Sequence, residues 1–293
     1  MLRILLIGKN GQLGWELQRT LATLGEVTAV DYPEIDLANL KNVQDVIRDN
    51  APQLIVNAAA YTNVDKAESE RELAFSVNTT APGVMAEEAR LLKAGFIHYS
   101  TDFVFDGIKS SSYVETDDAL PLNVYGASKL EGEKVIERVG GAYLILRTSW
   151  VYSLRQGGFV TKVLDWARKQ NKLRVVDDQF GCPTAARMLA EISAQLIAQG
   201  RGDPLGYLAE NTGVYHLAGS GSCSRFEWAQ AIVEMGATCG TIPLVSVEAA
   251  KTAEFPTDAI RPLHPVLDCA KFSRTFNLQL PDWKQALTLL FNL

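Results

Sequence analysis

The chain has 293 residues, of which 47% are apolar, 9% aromatic and 21% charged, and 34 Asp and Glu outweigh 28 Lys and Arg for a net charge of −6. These proportions suit a globular chain of one large domain or two modest ones and exclude disordered or collagen-like sequences. The negative balance argues against nucleic acid as a partner, because phosphate backbones call for a basic face. No apolar run approaches the 18 residues of a membrane span, and the first one, residues 4–7, is too short for a secretory signal. Cys182, Cys223, Cys239 and Cys269 are far apart and form no CxxC pair. They read as reduced thiols in a cytoplasmic protein and not as a disulfide frame or zinc site.

In chain order, residues 3–7, 27–30, 54–56, 96–99 and 143–146 are short apolar runs, the pattern of strands covered on both faces. Residues 12–24, 40–50, 81–94 and 125–139 between them have helical spacing and charged outer faces. The alternation predicts an α/β chain with βαβ units, a Rossmann-type doubly wound parallel sheet. After residue 150 the rhythm loosens. Residues 159–170 and 185–199 read as helices, 173–176 as a strand, 200–206 (GRGDPLG) as a loop, and 214–217 as a further strand. Ser224, with Glu227 three residues on, has a capping-box pattern for a helix over 224–235. A Pro-rich stretch over 256–265 precedes a last helix near 283–290. We expect a dinucleotide-binding domain over 1–150 and a smaller α/β substrate-binding domain over 151–293, leaving the strand near 214–217 free to return to the first.

Gly8-Lys9-Asn10-Gly11-Gln12-Leu13-Gly14 follows the first strand directly and opens the first helix. GxxGxxG spacing there is a variant of the dinucleotide loop: absent side chains let the backbone turn tightly and approach a pyrophosphate at the positive helix end. Asp31, 20 residues after Gly11 at the end of the second strand, is placed to accept hydrogen bonds from an adenosine ribose. Lys9 would instead suit a 2′-phosphate, so NADH and NADPH both stay open. Asp36 and Leu37 lie in the loop after that strand, within reach of an adenine. Residues 57–60 (Asn-Ala-Ala-Ala) end the third strand at the carboxyl edge, where small side chains admit either a cofactor or a close helix.

Tyr125 and Lys129 stand at i and i+4, on one face of a helix, and Thr101 ends the fourth strand. A phenol with its ordinary pKa near 10 is a poor proton exchanger at pH 7, and a cation beside it lowers that value. Thr101 would polarise a substrate carbonyl, Tyr125 would deliver a proton, and a nicotinamide would deliver hydride. The three residues together describe a carbonyl reductase site.

The segments GKNGQLGWEL, VNAAAYTNVDKAE, HYSTDFVFDG, PLNVYGASKLEGE, LRTSWVY and DDQFGCPT, in this order and spacing, resemble the dTDP-4-dehydrorhamnose reductase family of extended short-chain dehydrogenase/reductases. The resemblance runs from residue 1 to about 190 and thins beyond it. It implies reduction of the C4 ketone of dTDP-4-dehydro-L-rhamnose, a small sugar-nucleotide substrate, by NADPH or NADH. By motif, Gly11, Gln12, Leu13, Asp31, Ala60, Tyr61, Thr62 and Lys129 would contact the cofactor. Thr101, Asp102 and Trp150 would contact the sugar nucleotide, with Tyr125 as proton donor. An aromatic face at Trp150 suits the apolar side of a deoxysugar, and Phe180 is placed to line the same pocket.

The chain departs from the family pattern near its end. Arg261-Pro262-Leu263-His264-Pro265 puts His264-Pro265 where a small polar pair is usual, while Arg261 remains available for a diphosphate. Some family members bind magnesium at a dimer contact through glutamates. Glu16 and Glu191 match such positions, which leaves Mg2+ and a homodimer open. The terminal Phe291-Asn292-Leu293 brings no acid, and a hard cation needs several oxygen ligands. Two other readings stay open: a nucleotide-sugar epimerase on the same scaffold, and a non-catalytic regulatory subunit.

Overall fold

Six parallel strands form the central sheet of the computed structural model, which describes residues 1–155, 157–200 and 202–291. They are β1 (Leu2–Ile7), β2 (Gly25–Val30), β3 (Leu54–Asn57), β4 (Gly95–Thr101), β5 (Tyr143–Thr148) and the late strand Gly213–His216. From one edge the order is Gly213–His216, β5, β4, β3, β1, β2, and every pairing is parallel. Each residue of β3, β4 and β5 is buried, as a sheet covered on both faces requires. The period of two divides β1 cleanly. Ile4 and Leu6 face a core that holds Leu54, Val56, Leu189 and Leu196, while Leu5 and Ile7 face another that holds Val43, Ile47, Met85 and Ala89.

The helices of the first half are α1 (Gln12–Leu21), α2 (Leu40–Asn50), α3 (Val64–Ser69), α4 (Arg71–Phe75), α5 (Ala81–Leu92) and α6 (Val124–Val139). α1 packs with the helix Ala186–Gln199 on one face, and α2, α5 and α6 pack side by side on the other. α1 ends three residues before the predicted end, in a turn in which the Leu24 N–H donates to the Leu21 carbonyl. β2 correspondingly starts at Gly25, where a Cβ would fall 2.0 Å from the Leu2 carbonyl oxygen. Residues 64–80, for which no element is predicted, form α3, α4 and a π-helical turn, Ser76–Thr80. Helices of six and five residues are too short to show a period. Of the predicted loop at 200–206, Gly200, Gly202 and Asp203 are outside helices and strands, Arg201 lies outside the described residues, and the rest opens a helix, Pro204–Glu210, capped by the Asp203 carboxylate and with Pro at its first position, a start signal that the Gly/Pro content concealed. Asn292 and Leu293, at the acid-free terminus, lie outside the described residues.

The second half surrounds its own core of Tyr152, Val160, Leu164, Trp228, Ile232, Trp283 and Leu287. Short pairings tie it together: Lys172–Val176 with Ser246–Ala250, Phe180–Gly181 with Cys223–Ser224, and Val151–Tyr152 with Thr184–Ala185. The helix Arg225–Thr238 starts with the predicted capping box, in which Ser224 accepts from the Glu227 N–H and the Glu227 carboxylate accepts from the Ser224 N–H. Between the halves, at the carboxyl ends of β1, β3, β4 and β5, lies the cleft where open α/β sheets bind ligands.

Candidate active site

The glycines of the first loop divide their work. Gly8 has φ +94°, and a Cβ on it would fall 2.7 Å from the Ala59 nitrogen; one on Gly14 would fall 1.9 Å from the Gly8 carbonyl oxygen. These two close the turn against β3 and α1. Gly11 is different: it is the N-cap of α1 and offers no side-chain cap, so the first N–H groups of the helix are left without a side-chain partner. Gly8, Gly11, Gln12 and Leu13 line a cavity of about 950 Å3. This donor-rich helix end fits a pyrophosphate.

Asp31 stands on the same cavity, with its carboxylate accepting from the N–H groups of Asn10 at 2.9 Å and Tyr32 at 2.8 Å. A carboxylate has about four acceptor positions, so capacity for a ribose diol remains. Lys9 Nζ is paired with Glu34 at 2.6 Å, and that hydrogen bond holds the Glu34 carboxyl below its usual range. Ala60 and Thr62 line the cavity, together with Asn10, Ala58 and Ala59, which the motif assignment omits. Tyr61 is not on it. Its hydroxyl donates to Glu70, which pushes the phenol up to about 12, and its N–H donates to Asn78 at 2.8 Å. Asp36 and Leu37 are also elsewhere: the Asp36 carboxylate accepts from the Ala38 N–H, and Leu37 packs on the core beside Val43 and Ile47.

Thr101 ends β4 and Asp102 starts the 3-10 turn that follows it, and Tyr125 lies in the first turn of α6, which Asn123 caps by accepting from the Gly126 N–H at 2.8 Å. A Cβ at Gly126 would fall 2.2 Å from the Phe103 carbonyl oxygen, so only glycine lets α6 begin this close to the end of β4. Thr101, Asp102, Tyr125 and Lys129 all line the cavity. The Lys129 side chain is buried; Nζ donates to the Tyr99 carbonyl at 2.7 Å and lies 2.9 Å from His98 Nε2. Desolvation pulls Lys129 down to about 8, against the opposing charge of Glu133.

Tyr125 corrects one expectation. Burial pushes its phenol up to about 12, with the Thr101 hydrogen bond acting the other way. Lys129 is engaged with β4 in this geometry, so desolvation wins and the phenol keeps its proton. That state is the one a proton donor needs. Asp102 accepts from Ser149 Oγ at 2.7 Å and from Thr101 Oγ1 at 3.1 Å, and burial raises its carboxyl to about 6.

Trp150 lines the cavity with φ +43°, a backbone conformation a bulky residue holds only when its surroundings over-determine it. Its ring stacks on Trp228 at 5.4 Å and 13°, and the Arg225 guanidinium lies 3.6 Å from the ring centroid. Residues 2–293 match the family model described as RmlD substrate binding domain. The chain belongs to this family. It is 41% identical over 297 residues to the dTDP-4-dehydrorhamnose reductase of Escherichia coli K12, covering 99% of this chain and 97% of the relative. It is also 41% identical over 291 residues to that of Burkholderia thailandensis, covering 98% and 97%. A solved dTDP-4-dehydrorhamnose reductase from Bacillus anthracis, in complex with NADP, superposes with a TM-score of 0.89 at 32% identity and covers 99% of both chains.

In this RmlD-family chain two predicted substrate contacts lie away from the cavity. The Arg261 fork is closed on Asp65, with two contacts of 2.7 Å that hold the Asp65 carboxyl low, so its donors face a carboxylate and not an incoming diphosphate. Phe180 pairs with Ser224 across a two-residue ladder, and its ring lies 5.4 Å from that of His264. Sequence reasoning missed Arg225, which lines the cavity with Asp102 and Trp150. Its guanidinium rests on the rings of Trp150, Phe159 and Trp228, and desolvation pulls it down to about 10. No motif marks it; its position at the head of a capped helix was the available signal. Among the described residues no group of three or more His, Cys, Asp or Glu is disposed to hold a metal, and Glu191 accepts from Arg187 at 3.1 Å.

Proposed function

We propose that this chain is a reductase that converts the C4 ketone of dTDP-4-dehydro-L-rhamnose to the alcohol of dTDP-L-rhamnose with NADPH or NADH. The observation that carries this reading is that Thr101, Tyr125, Lys129 and the open end of α1 share one cavity in a chain whose relatives bear that reductase's name. The nicotinamide, when bound, supplies the hydride. Gly8, Gly11, Gln12 and Leu13 hold the pyrophosphate on the α1 end, and Asp31 takes the adenosine ribose. The packing of Gly14 against Gly8 keeps that loop in shape. Ala60 and Thr62 flank the cofactor, and Lys129 holds its nicotinamide end. Thr101 donates to the ketone oxygen, and Tyr125 gives the developing alkoxide its proton. Asp102 and Trp150 hold the sugar.

Arg225 replaces Arg261 as our candidate for the substrate diphosphate, since its planar fork rests on three rings and lines the cavity beside the sugar site. Beyond it an apolar groove of about 660 Å3, lined by Phe159, Leu173, Val175 and Phe255, continues the path and suits the thymidine end. On this reading residues 1–150 with the strand Gly213–His216 serve the dinucleotide, and most of the remainder serves the sugar nucleotide. The free cysteines support a cytoplasmic site of action.

Incubation of the purified protein with dTDP-4-dehydro-L-rhamnose should consume NADPH or NADH in step with loss of the ketone. Folded protein that consumes neither would sink the reading, and tightly retained NAD+ with C4 or C5 inversion would favour an epimerase. Arg225→Leu should raise KM for the sugar nucleotide by about 10- to 100-fold, as for a lost charge-assisted contact, while KM for NADPH stays close to wild type. Equal effects on both constants would remove Arg225 from the diphosphate.

A further inference from the structure

His98 stands behind the cavity with no part in the scheme above. It is fully buried in β4, and both ring nitrogens have partners: Nδ1 lies 3.0 Å from the Asn57 amide nitrogen and Nε2 lies 2.9 Å from Lys129 Nζ. The Ala59 N–H donates to Asn57 Oδ1 at 3.1 Å, which fixes the orientation of that amide. Its NH2 group therefore faces His98, and Nδ1 accepts. Burial, and then the Lys129 charge, keep the imidazole pKa well below the usual histidine value, so the ring is neutral. A neutral imidazole whose Nδ1 accepts carries its proton on Nε2, and that N–H points at Nζ. An ammonium has donors only, whereas an amine has a lone pair to receive it.

We propose that His98 is a positioning residue acting through Lys129: its Nε2–H donates to Nζ, favours the amine over the ammonium and, with the Tyr99 carbonyl, fixes where that nitrogen sits. The inference rests on the reading of Lys129 as part of the reductase site. Its consequence is that Lys129, which desolvation already brings into the working pH range, is held lower by the His98 hydrogen bond than burial alone would hold it. The other charged groups near Nζ do not supply this bias. Glu133, one turn along α6, favours the ammonium and is itself paired with Arg147 of β5. Tyr125 and Asp102 are on the cavity side, and burial of Nζ is the larger part of the downward shift, to which the geometry of His98 adds.

The tautomer is read directly by 15N NMR of histidine-labelled protein. With three histidines in the chain, a His98→Gln variant assigns the signal. A protonated Nε2 and bare Nδ1 at neutral pH are expected; the reverse overturns the proposal whether or not the chain is a reductase. The second arm is the pH profile of kcat, which falls as pH rises through the Lys129 pKa because the ammonium is the active form. His98→Gln puts an accepting carbonyl where Nε2 stood, so its alkaline limb should move up by about one pH unit, the size of one hydrogen bond. His98→Asn cannot reach Nζ and should lose more than about tenfold in kcat, while His98→Gln loses less. A limb that stays put or moves down in His98→Gln, or equal losses in the two variants, overturns the proposal. If wild type consumed no NAD(P)H, the reductase reading would fail while the NMR result still decided the tautomer.

Discussion

Tyr125→Phe will lower turnover by about two to four orders of magnitude, the range that a positioned general acid supplies, and will leave cofactor binding within about threefold of wild type. The substitution removes one oxygen and little else. The ring packs edge-on against Phe103 at 5.6 Å, a contact phenylalanine keeps, so the fold has no reason to move. Burial holds the tyrosine phenol at about 12, so at neutral pH it is protonated and ready to give, and on the proposed reading the Thr101 hydroxyl serves the ketone oxygen instead. Single-turnover reduction, followed beside NADPH fluorescence titration, separates the two effects. Near-wild-type turnover with intact binding would remove Tyr125 from the chemistry.

The parts of this site visible in the sequence are those where chemistry is tied to local spacing. GxxGxxG, the acid after the second strand and YxxxK each work within one turn or one strand end, so the residues that carry them are also the ones that meet. Tyr61, Asp36 and Leu37 stand close to these motifs in sequence but point into local partners: Glu70 for the tyrosine hydroxyl, the Ala38 N–H for the Asp36 carboxylate, a core for the leucine. Direction, which spacing alone does not encode in a loop, decides them. Arg225 and Arg261 make the same point over longer range. Arg225 opens a helix and Arg261 sits in an irregular segment, and only the tertiary fold brings Asp65 to Arg261 and the rings of Trp150 and Phe159 to Arg225. The short helices over residues 64–80 were illegible for a different reason, since five or six residues complete too few turns to display a period. The Tyr125 pKa moves up and not down because desolvation of the phenol, which a YxxxK spacing does not reveal, outweighs the other effects on it.

Arg147→Ala will destabilise the protein by about 3–5 kcal/mol, the cost of stranding a buried charge, and lower its melting temperature by on the order of 10 °C. Arg147 Nε and one terminal nitrogen reach the Glu133 carboxylate at 3.0, 3.2 and 2.6 Å, and Ser100 donates to the same group. Arginine and glutamate are both almost wholly buried between β5 and α6. Removing the guanidinium leaves a carboxylate with the Ser100 hydroxyl and no counter-charge at the distance Arg147 held. The pair is not itself a large source of stability, because two desolvated charges cost about what their attraction returns. The double variant Glu133→Gln with Arg147→Met should therefore be milder than Arg147→Ala alone, although it deletes more interactions. Denaturant melts of the three proteins decide it. A double variant as unstable as the sum of its parts would mean that the ion pair, and not the avoidance of a lone buried charge, holds α6 to the sheet. Since Glu133 follows Lys129 by one turn on that helix, the same comparison shows how firmly the cavity-lining face of α6, which carries Tyr125 and Lys129, is anchored from below.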